Sequence, residues 1–444
     1  MTRRFQNTRL RKSTKKGKNG QKKASNASTD DLMKAASAAM ESLDIERAYE
    51  AYCQAATQLQ SEKIPNTENT DNKNQVVENL IHVLEKMGEL QVSIGDQDLA
   101  KDHFVRSLQL LEEEGKAEST KNTSHYEMRS NICFYIGQLS LEKEALDAYQ
   151  SGIRSLEKCM QLVEDGQENV AMQDETNDAN NIESTLLKQK LSGAYCNIAE
   201  LYLTDLCEEE TAESDCEQYL EKALQLKDSD GEPLVDALQT MASLRLSQQE
   251  RQLEAVSFIL RAYEKQRVGS EALATLVGLG DNKVTDEDNT NKGQAQELLE
   301  VEAANNLPEF EFRCQTAKLL LECAGLLKEG SSSSYQENEC ISAAISVLGS
   351  LLAQNDEVVE IWYLTGCAFA AKHAPLVETA KFYFKRAKEM LTDIQKALKD
   401  ELQFSDDSER EDLKEQLEMN ATQLSDVQSK LDTLPDTVED MEEN

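Results

Sequence analysis

Small residues recur at fixed offsets between Ala194 and Ser247, and this spacing constrains the fold more than any other feature of the chain. Large apolar residues stand between the small ones, and acidic residues take many of the remaining positions. Small side chains let two helices approach closely, while a stripe of large apolar ones gives each helix a face to bury. The pattern therefore predicts helical hairpins stacked through one face.

The same pattern recurs along most of the 444 residues with the spacing of a tetratricopeptide repeat. Such a repeat has about 34 residues in two helices, with a Leu-Gly-like pair in the first helix and a small-large-small triplet in the second. The predicted triplets are Ala48/Tyr52/Ala55, Ala100/Phe104/Ser107, Ala148/Gly152/Ser155, Cys216/Leu220/Ala223, Ala255/Ile259/Ala262, Ala344/Leu348/Leu351 and Ala380/Phe384/Ala387. The sequence predicts an all-α tetratricopeptide-repeat solenoid of about 6–7 helix pairs.

Composition divides the chain into three predicted segments. Residues 1–30 are basic and nearly free of apolar side chains, so we expect them to be disordered. Residues 31–403 hold the repeats. Residues 404–444 are acidic and carry apolar residues at helical spacing, which favours a capping helix followed by a disordered tail. The alternative for this helix is the seam of a coiled-coil dimer; we expect a monomer.

The net charge of −36 is unevenly distributed, because the first 25 residues contain ten Lys or Arg and no acidic residue. An acidic body repels nucleic acid and anionic membranes and attracts basic ligands. The alternative is that the charge only keeps the protein soluble. The basic head is typical of a nuclear or nucleolar signal, with a nucleic-acid arm or a solvated tail as alternatives. We expect a protein of the cytoplasm and nucleus.

The sequence carries no recognisable catalytic or metal-binding pattern. The four histidines fall in no HExxH pattern, the ten cysteines form no CxxC, and no glycine-rich phosphate loop is present. No apolar run approaches the ~20 residues that span a bilayer. We therefore predict a non-enzymatic protein without cofactor or metal, in a reducing compartment and away from membranes.

Binding residues are predicted from the repeat register. The first helix of each pair lines the concave groove of a tetratricopeptide array, and ligand-facing residues flank its packing signature. The predicted groove residues are Glu85, Glu89, Glu200, Asp236, Gln239, Glu360 and Tyr363 at these positions, with Asp205 just beyond them. Acids predominate, which suits an extended basic segment bound through charge-assisted hydrogen bonds. For any single acid the alternative is a solvated helix face.

Three consecutive blocks resemble a known family. AELYLTDLC (Ala199–Cys207), CEQYLEKALQL (Cys216–Leu226) and DALQTMASLRLSQQ (Asp236–Gln249) are similar to the central signature of dedicated assembly chaperones of ribosomal protein L4. The helix WYLTGCAFA (Trp362–Ala370) and the acidic tail agree with that family's plan. The resemblance covers about residues 30–400.

The resemblance implies a function. Members of that family are helical tetratricopeptide proteins that capture newly made ribosomal protein L4 through its basic internal loop. They keep it soluble and escort it to the nucleus, where it enters the pre-60S particle. Transport into the nucleus would involve an import receptor as a further partner.

Two alternatives use the same fold. An Hsp70/Hsp90 cochaperone would hold an acidic peptide with a Lys, Asn and Arg clamp, yet the corresponding positions carry Met33, Ser37, Glu85 and Glu89. A nuclear scaffold for another basic partner, a histone or an importin, fits the acidic charge equally well. Only the blocks between Ala199 and Gln249 argue against that second alternative.

Overall fold

The computed structural model describes residues 28–62, 70–114, 122–170, 177–279, 301–329, 334–372, 376–405 and 410–435. Within these ranges the regular structure is helical, apart from one isolated β-bridge between Lys227 and Pro233. The predicted all-α fold is thus confirmed. The basic head up to residue 27 and the acidic tail from residue 436 lie outside the described residues. No helix in these ranges is long and apolar enough to cross a membrane.

The chain divides into two compact units after Leu234, a boundary that the sequence does not predict. The described part of the first unit contains four helix pairs. Their helices are α1 (Thr29–Glu41), α2 (Ile45–Glu62), α3 (Thr70–Ile94), α4 (Gln97–Glu114), α5 (Thr123–Gln138), α6 (Glu142–Val170), α7 (Asn177–Leu203) and α8 (Ala212–Gln225).

Local sequence chemistry fixes where these helices begin. Ser28 precedes α1 and forms a capping box with Asp31, in which each side chain bonds the other residue's backbone N–H. Asn122 caps α5 by accepting a hydrogen bond from the backbone N–H of His125 at 2.9 Å. Such caps satisfy backbone donors that a helix start otherwise leaves without partners.

A glycine facing an aromatic ring holds the second pair together. Phe104 of α4 is fully buried over Gly88 of α3, where an added Cβ would come within 2.6 Å of the ring. Ala100 and Ser107 flank the ring and are also fully buried. The predicted triplet of this repeat is therefore the contact surface between its two helices.

The predicted register of the third pair is wrong by three residues. Gly152 cannot fill the large position of the triplet, which belongs to Tyr149, a side chain only 5% exposed. The Tyr149 ring covers Gly137 just as Phe104 covers Gly88, and an added Cβ on Gly137 would meet it at 2.9 Å. The true triplet is Ala145, Tyr149 and Gly152, and Gly152 instead makes room for Phe134.

The described part of the second unit contains three helix pairs and a terminal helix. The helices are α9 (Val235–Ser247), α10 (Glu254–Leu276), α11 (Phe310–Glu329), α12 (Ser334–Gln354), α13 (Val359–Ala371), α14 (Val377–Phe404) and α15 (Arg410–Thr433). Residues 301–305 are also helical. In the last pair Gly366 faces the Phe384 ring, so the glycine–aromatic contact recurs in this unit.

The sixth pair departs from regular stacking. Helix α10 packs more extensively on α12 than on α11. Gly349 of α12 permits this approach, because a Cβ there would lie 2.6 Å from the Cβ of Ala274 in α10. The second helices of neighbouring pairs are therefore in direct contact.

The C-terminal helix packs on α14, in agreement with the predicted capping helix. Leu413 and Val427 are buried at this contact, as is the amide of Asn420, which donates to the Leu391 carbonyl at 3.1 Å. The six apolar residues that predict the helix are all buried or half-buried: Leu413, Leu417, Leu424, Val427, Leu431 and Leu434. The apolar face of α15 is therefore used within this chain.

Candidate functional site

The first predicted groove residues lie on α3, where Glu89 joins two neighbouring first helices. Its carboxylate accepts a hydrogen bond from Lys86 at 2.7 Å and another from the Tyr135 hydroxyl of α5 at 3.4 Å. The Tyr135 ring in turn stacks on Phe104 with centroids 4.5 Å apart. The surface around Glu89 is thus anchored in the buried glycine–aromatic contact of the second pair.

Glu85 lies one turn before Glu89 on the same half-buried surface. Within the described part of the chain, no hydrogen bond or ion pair reaches its carboxylate. Burial, and next the charge of Glu89, raise the pKa of Glu85 to about 7, while Lys86 opposes the rise. A desolvated carboxylate of this kind gains most from an added cation, because the cation restores the charged form that burial disfavours.

Glu200 and Asp205 mark the end of α7. Glu200 is exposed in the last turn of the helix, and Asp205 is exposed in the turn that follows Leu203. The two carboxylates are thus accessible to solvent near each other in sequence. With Glu85 and Glu89 they are the predicted groove residues of the first unit.

Asp236 and Gln239 both lie on α9 in the second unit, but they differ in their exposure to solvent. Asp236 is half-buried in the first helical turn, and its carboxylate accepts the backbone N–H of Ala237 at 2.9 Å. Gln239 is only 5% exposed; its amide donates to the Phe312 carbonyl at 3.2 Å and accepts from the Thr316 hydroxyl at 2.5 Å. Gln239 therefore joins α9 to α11 and is not accessible to a ligand, contrary to the prediction.

Glu360 and Tyr363 lie at the start of α13 and are half-buried. The Glu360 carboxylate is 2.8 Å from the Lys318 ammonium of α11 and accepts a hydrogen bond from the Cys314 thiol at 3.7 Å. The Tyr363 ring lies 5.7 Å from that of Phe384, and burial foremost raises the pKa of its hydroxyl to about 12. Glu360 is therefore already paired with a cation of its own chain.

Sequence reasoning missed the basic partners of these acids. Lys86 follows Glu85 directly in the sequence. That it forms its ion pair with Glu89 and not with Glu85 depends on side-chain geometry, which the sequence does not show. Lys318 lies outside the regular register, on the first helix of the irregular pair. No group of three or more His, Cys, Asp or Glu side chains in the described ranges is arranged to hold a metal ion.

Comparison with known proteins agrees with the resemblance found in the sequence. No protein-family model matches the chain. It is 26% identical over 317 residues to the probable assembly chaperone of rpl4 from Schizosaccharomyces pombe, covering 68% of this chain and 70% of that protein. A solved structure titled assembly chaperone of RpL4 (Acl4), residues 1–338, matches with a TM-score of 0.51 and 21% identity, over 77% of this chain and 95% of that one. The likeness to assembly chaperones of ribosomal protein L4 is thus confirmed, and so is the helical-repeat fold.

Proposed function

We propose that this protein is a dedicated assembly chaperone that binds newly made ribosomal protein L4. The observation that carries the proposal is the similarity over 317 residues to a relative described as a probable assembly chaperone of rpl4. The fold is compatible, because paired helices of the tetratricopeptide type present extended surfaces for a partner segment. The function requires no catalytic group, and we propose a binding protein and not an enzyme.

We further propose that carboxylates on the first helices bind the basic internal loop of L4. Glu85 supports this best, because it is half-buried and the ammonium of the neighbouring residue Lys86 is bonded to Glu89. Glu200 and Asp205 would add exposed negative charge in the same unit. Arg and Lys side chains form their strongest hydrogen bonds with ionised carboxylates, so spaced acids suit a cationic segment.

The charge of the chain supports a protective role for such binding. A free basic extension adheres to RNA through its phosphates, and an acidic surface competes for the same cations. Release would follow where the ribosomal RNA site offers more phosphate contacts than the chaperone offers carboxylates. The complex would thus keep L4 soluble until it enters the pre-60S particle.

The remaining part of the proposal concerns transport. The ten basic residues among the first 25 would serve as a nuclear signal, read by an import receptor while L4 is bound. The protein would act as a monomer in the cytoplasm and nucleus, including the nucleolus. It would bind neither membranes nor, through its acidic body, nucleic acid.

Affinity capture from pulse-labelled cells tests the proposal. The tagged full-length chain is recovered, and bound proteins labelled during the pulse are identified by mass spectrometry. We expect L4 to dominate, to be lost when Glu85 and Glu200 are changed to Lys, and to be retained when the exposed Glu50 of the second helix α2 is changed instead. Histones, importins or Hsp70 in place of L4 would contradict the proposal.

A further inference from the structure

A basic cavity of about 410 Å³ lies in the first unit, between the start of α5 and the middle of α6. Its lining includes three cationic side chains and one carboxylate: Arg129, Arg154, Lys158 and Glu112. Positive charge gathered in this way stands out in a chain whose net charge is −36. The proposed binding of L4 makes no use of it.

Arg129 is held in a fixed position at one wall of the cavity. Its Nη1 donates to the Ser151 carbonyl at 3.2 Å and to the Ser155 hydroxyl at 2.6 Å, and its Nη2 lies 3.2 Å from the Glu112 carboxylate. A guanidinium has five N–H donors, so these three bonds leave two for another acceptor. An arginine held rigidly in this way loses little entropy when it binds an anion.

Arg154 and Lys158 stand one turn apart on α6 and are both exposed. Arg154 makes no hydrogen bond or ion pair with the described part of the chain. Lys158 bonds the neutral amide oxygen of Gln161 at 3.2 Å. Among the lining side chains that the structure describes, only Glu112 carries negative charge against the three cations, which leaves about two positive charges in excess.

The start of α5 adds a further preference for negative charge. His125 and Tyr126 line the cavity from the first turn of the helix, where the helix dipole favours an anion. The backbone N–H groups of both residues are bonded to Asn122, and the Ser155 hydroxyl donates to the Ser151 carbonyl at 3.1 Å, so these groups shape the cavity and do not add donors to it. The cavity thus combines fixed charge and accessible charge around one small volume.

We propose that this cavity binds a phosphate monoester, carried as a phosphoserine or phosphothreonine on a partner protein. A phosphorylated side chain brings about −1.5 to −2 charge at neutral pH, which matches the uncompensated charge of the cavity. The planar fork of an arginine pairs well with phosphate oxygens. A nucleic acid fits less well, because its continuing phosphates would have to cross an acidic surface.

The cavity is separate from the surface proposed for L4. Arg129 precedes Tyr135, the residue bonded to Glu89, by six positions, which is about 9 Å along a helix. The two sites therefore share no side chain. The cavity gives the chaperone a second specificity, for anions, beside its proposed binding of a cationic cargo.

Titration of the full-length chain with a fluorescent peptide bearing one phosphoserine and no other charge tests the proposal. We expect saturable binding, competition by millimolar inorganic phosphate, and at least tenfold weaker binding of the unphosphorylated peptide. The variant R154A/K158A should lose at least tenfold in affinity. Both residues are exposed, so we expect this variant to keep its thermal unfolding midpoint.

The matched control is K396A/K399A, which removes the same charge from exposed positions of α14 and should bind like the unmodified chain. Equal affinity of R154A/K158A and this control would overturn the proposal. So would equal affinity for the phosphorylated and unphosphorylated peptides. A six-nucleotide RNA that binds more tightly than the phosphopeptide through Arg154 and Lys158 would also overturn it, in favour of a nucleic-acid site.

Discussion

Glu85 and Glu89 lie one turn apart on α3, and of the two only Glu89 holds the Lys86 ammonium, at 2.7 Å. Glu85 thus faces a carboxylate that repels it and a lysine that is bonded elsewhere. Burial and this repulsion raise its pKa to about 7. A cation from a ligand would therefore stabilise the charged form of Glu85, for which the described part of the chain supplies no ion-pair partner.

The pKa of Glu85 predicts that binding of the L4 loop strengthens as pH rises from 6 to 8. Deprotonation of Glu85 across this range provides the charge that a ligand Arg or Lys can pair with, which should raise the affinity about three- to tenfold. The variant E85Q should bind with nearly constant affinity over the same range. Titration calorimetry of a loop peptide free of histidine measures both.

The control for this prediction is E50Q, at an exposed glutamate of the second helix α2, which should keep the pH dependence of the unmodified chain. If E85Q retains the full pH dependence, Glu85 is not the group that pairs with the ligand.

Glu85 also affects stability in the absence of ligand. The pKa of Glu85 is about 7 in the folded chain, against an ordinary value of 4.5 that applies to the unfolded chain. Between pH 4.5 and 7 the folded chain therefore binds more protons than the unfolded one. Stability should therefore fall as pH rises from about 4.5 to 7. After a discount for partial exposure, the loss is about 1–2 kcal/mol.

The variant E85Q should recover that loss at pH 8, raising the thermal midpoint by roughly 2–4 °C, and should have little effect near pH 4.5. An equal shift at both pH values would indicate a packing effect and contradict the assignment. E50Q again serves as the control, with no shift expected at either pH.

Filling the space of Gly88 should destabilise the second pair. In G88A the new methyl group would meet the buried Phe104 ring at 2.6 Å, and overpacking of this kind costs about 1–3 kcal/mol. The matched control is G325A on α11, where nothing lies within 4 Å. There the loss of helix-disfavouring glycine should stabilise by about 0.5–1 kcal/mol. Urea unfolding followed by circular dichroism measures both; a G88A variant as stable as the unmodified chain would contradict the account.

The burial of Gln239 predicts a loss of stability without a loss of binding. The variant Q239A leaves the Phe312 carbonyl and the Thr316 hydroxyl without this partner and opens a small cavity, at a cost of about 2–4 kcal/mol. At a temperature where the variant is folded, its affinity for the L4 loop should stay within twofold. Normal stability with lost binding would show that Gln239 contacts the ligand after all.

The repeat register could be predicted where its residues are distinctive. Tyr52 between Ala48 and Ala55, and Phe384 between Ala380 and Ala387, combine a ring with two alanines at the required spacing, and both rings are buried. The third pair has alanines at 145 and 148, either of which can open a triplet. Only the contact between Tyr149 and Gly137 decides which of them does so.

The surface chemistry was less predictable, because it depends on contacts between helices far apart in sequence. Gln239 is buried because it bonds Thr316, and Glu360 is paired because Lys318 lies beside it. Both partners are on α11, the first helix of the irregular sixth pair. Register alone assigns a residue to a face of its helix. It does not reveal whether a neighbouring helix covers that face or brings a lysine to it.

The affinity of the purified chain for the basic internal loop of L4 tests the central claim most directly, measured for the unmodified protein, E85K and E50K. The account predicts saturable, salt-sensitive binding that weakens at least tenfold in E85K and changes less than twofold in E50K. Absence of binding by the unmodified chain, or equal affinities of the two variants, would contradict it.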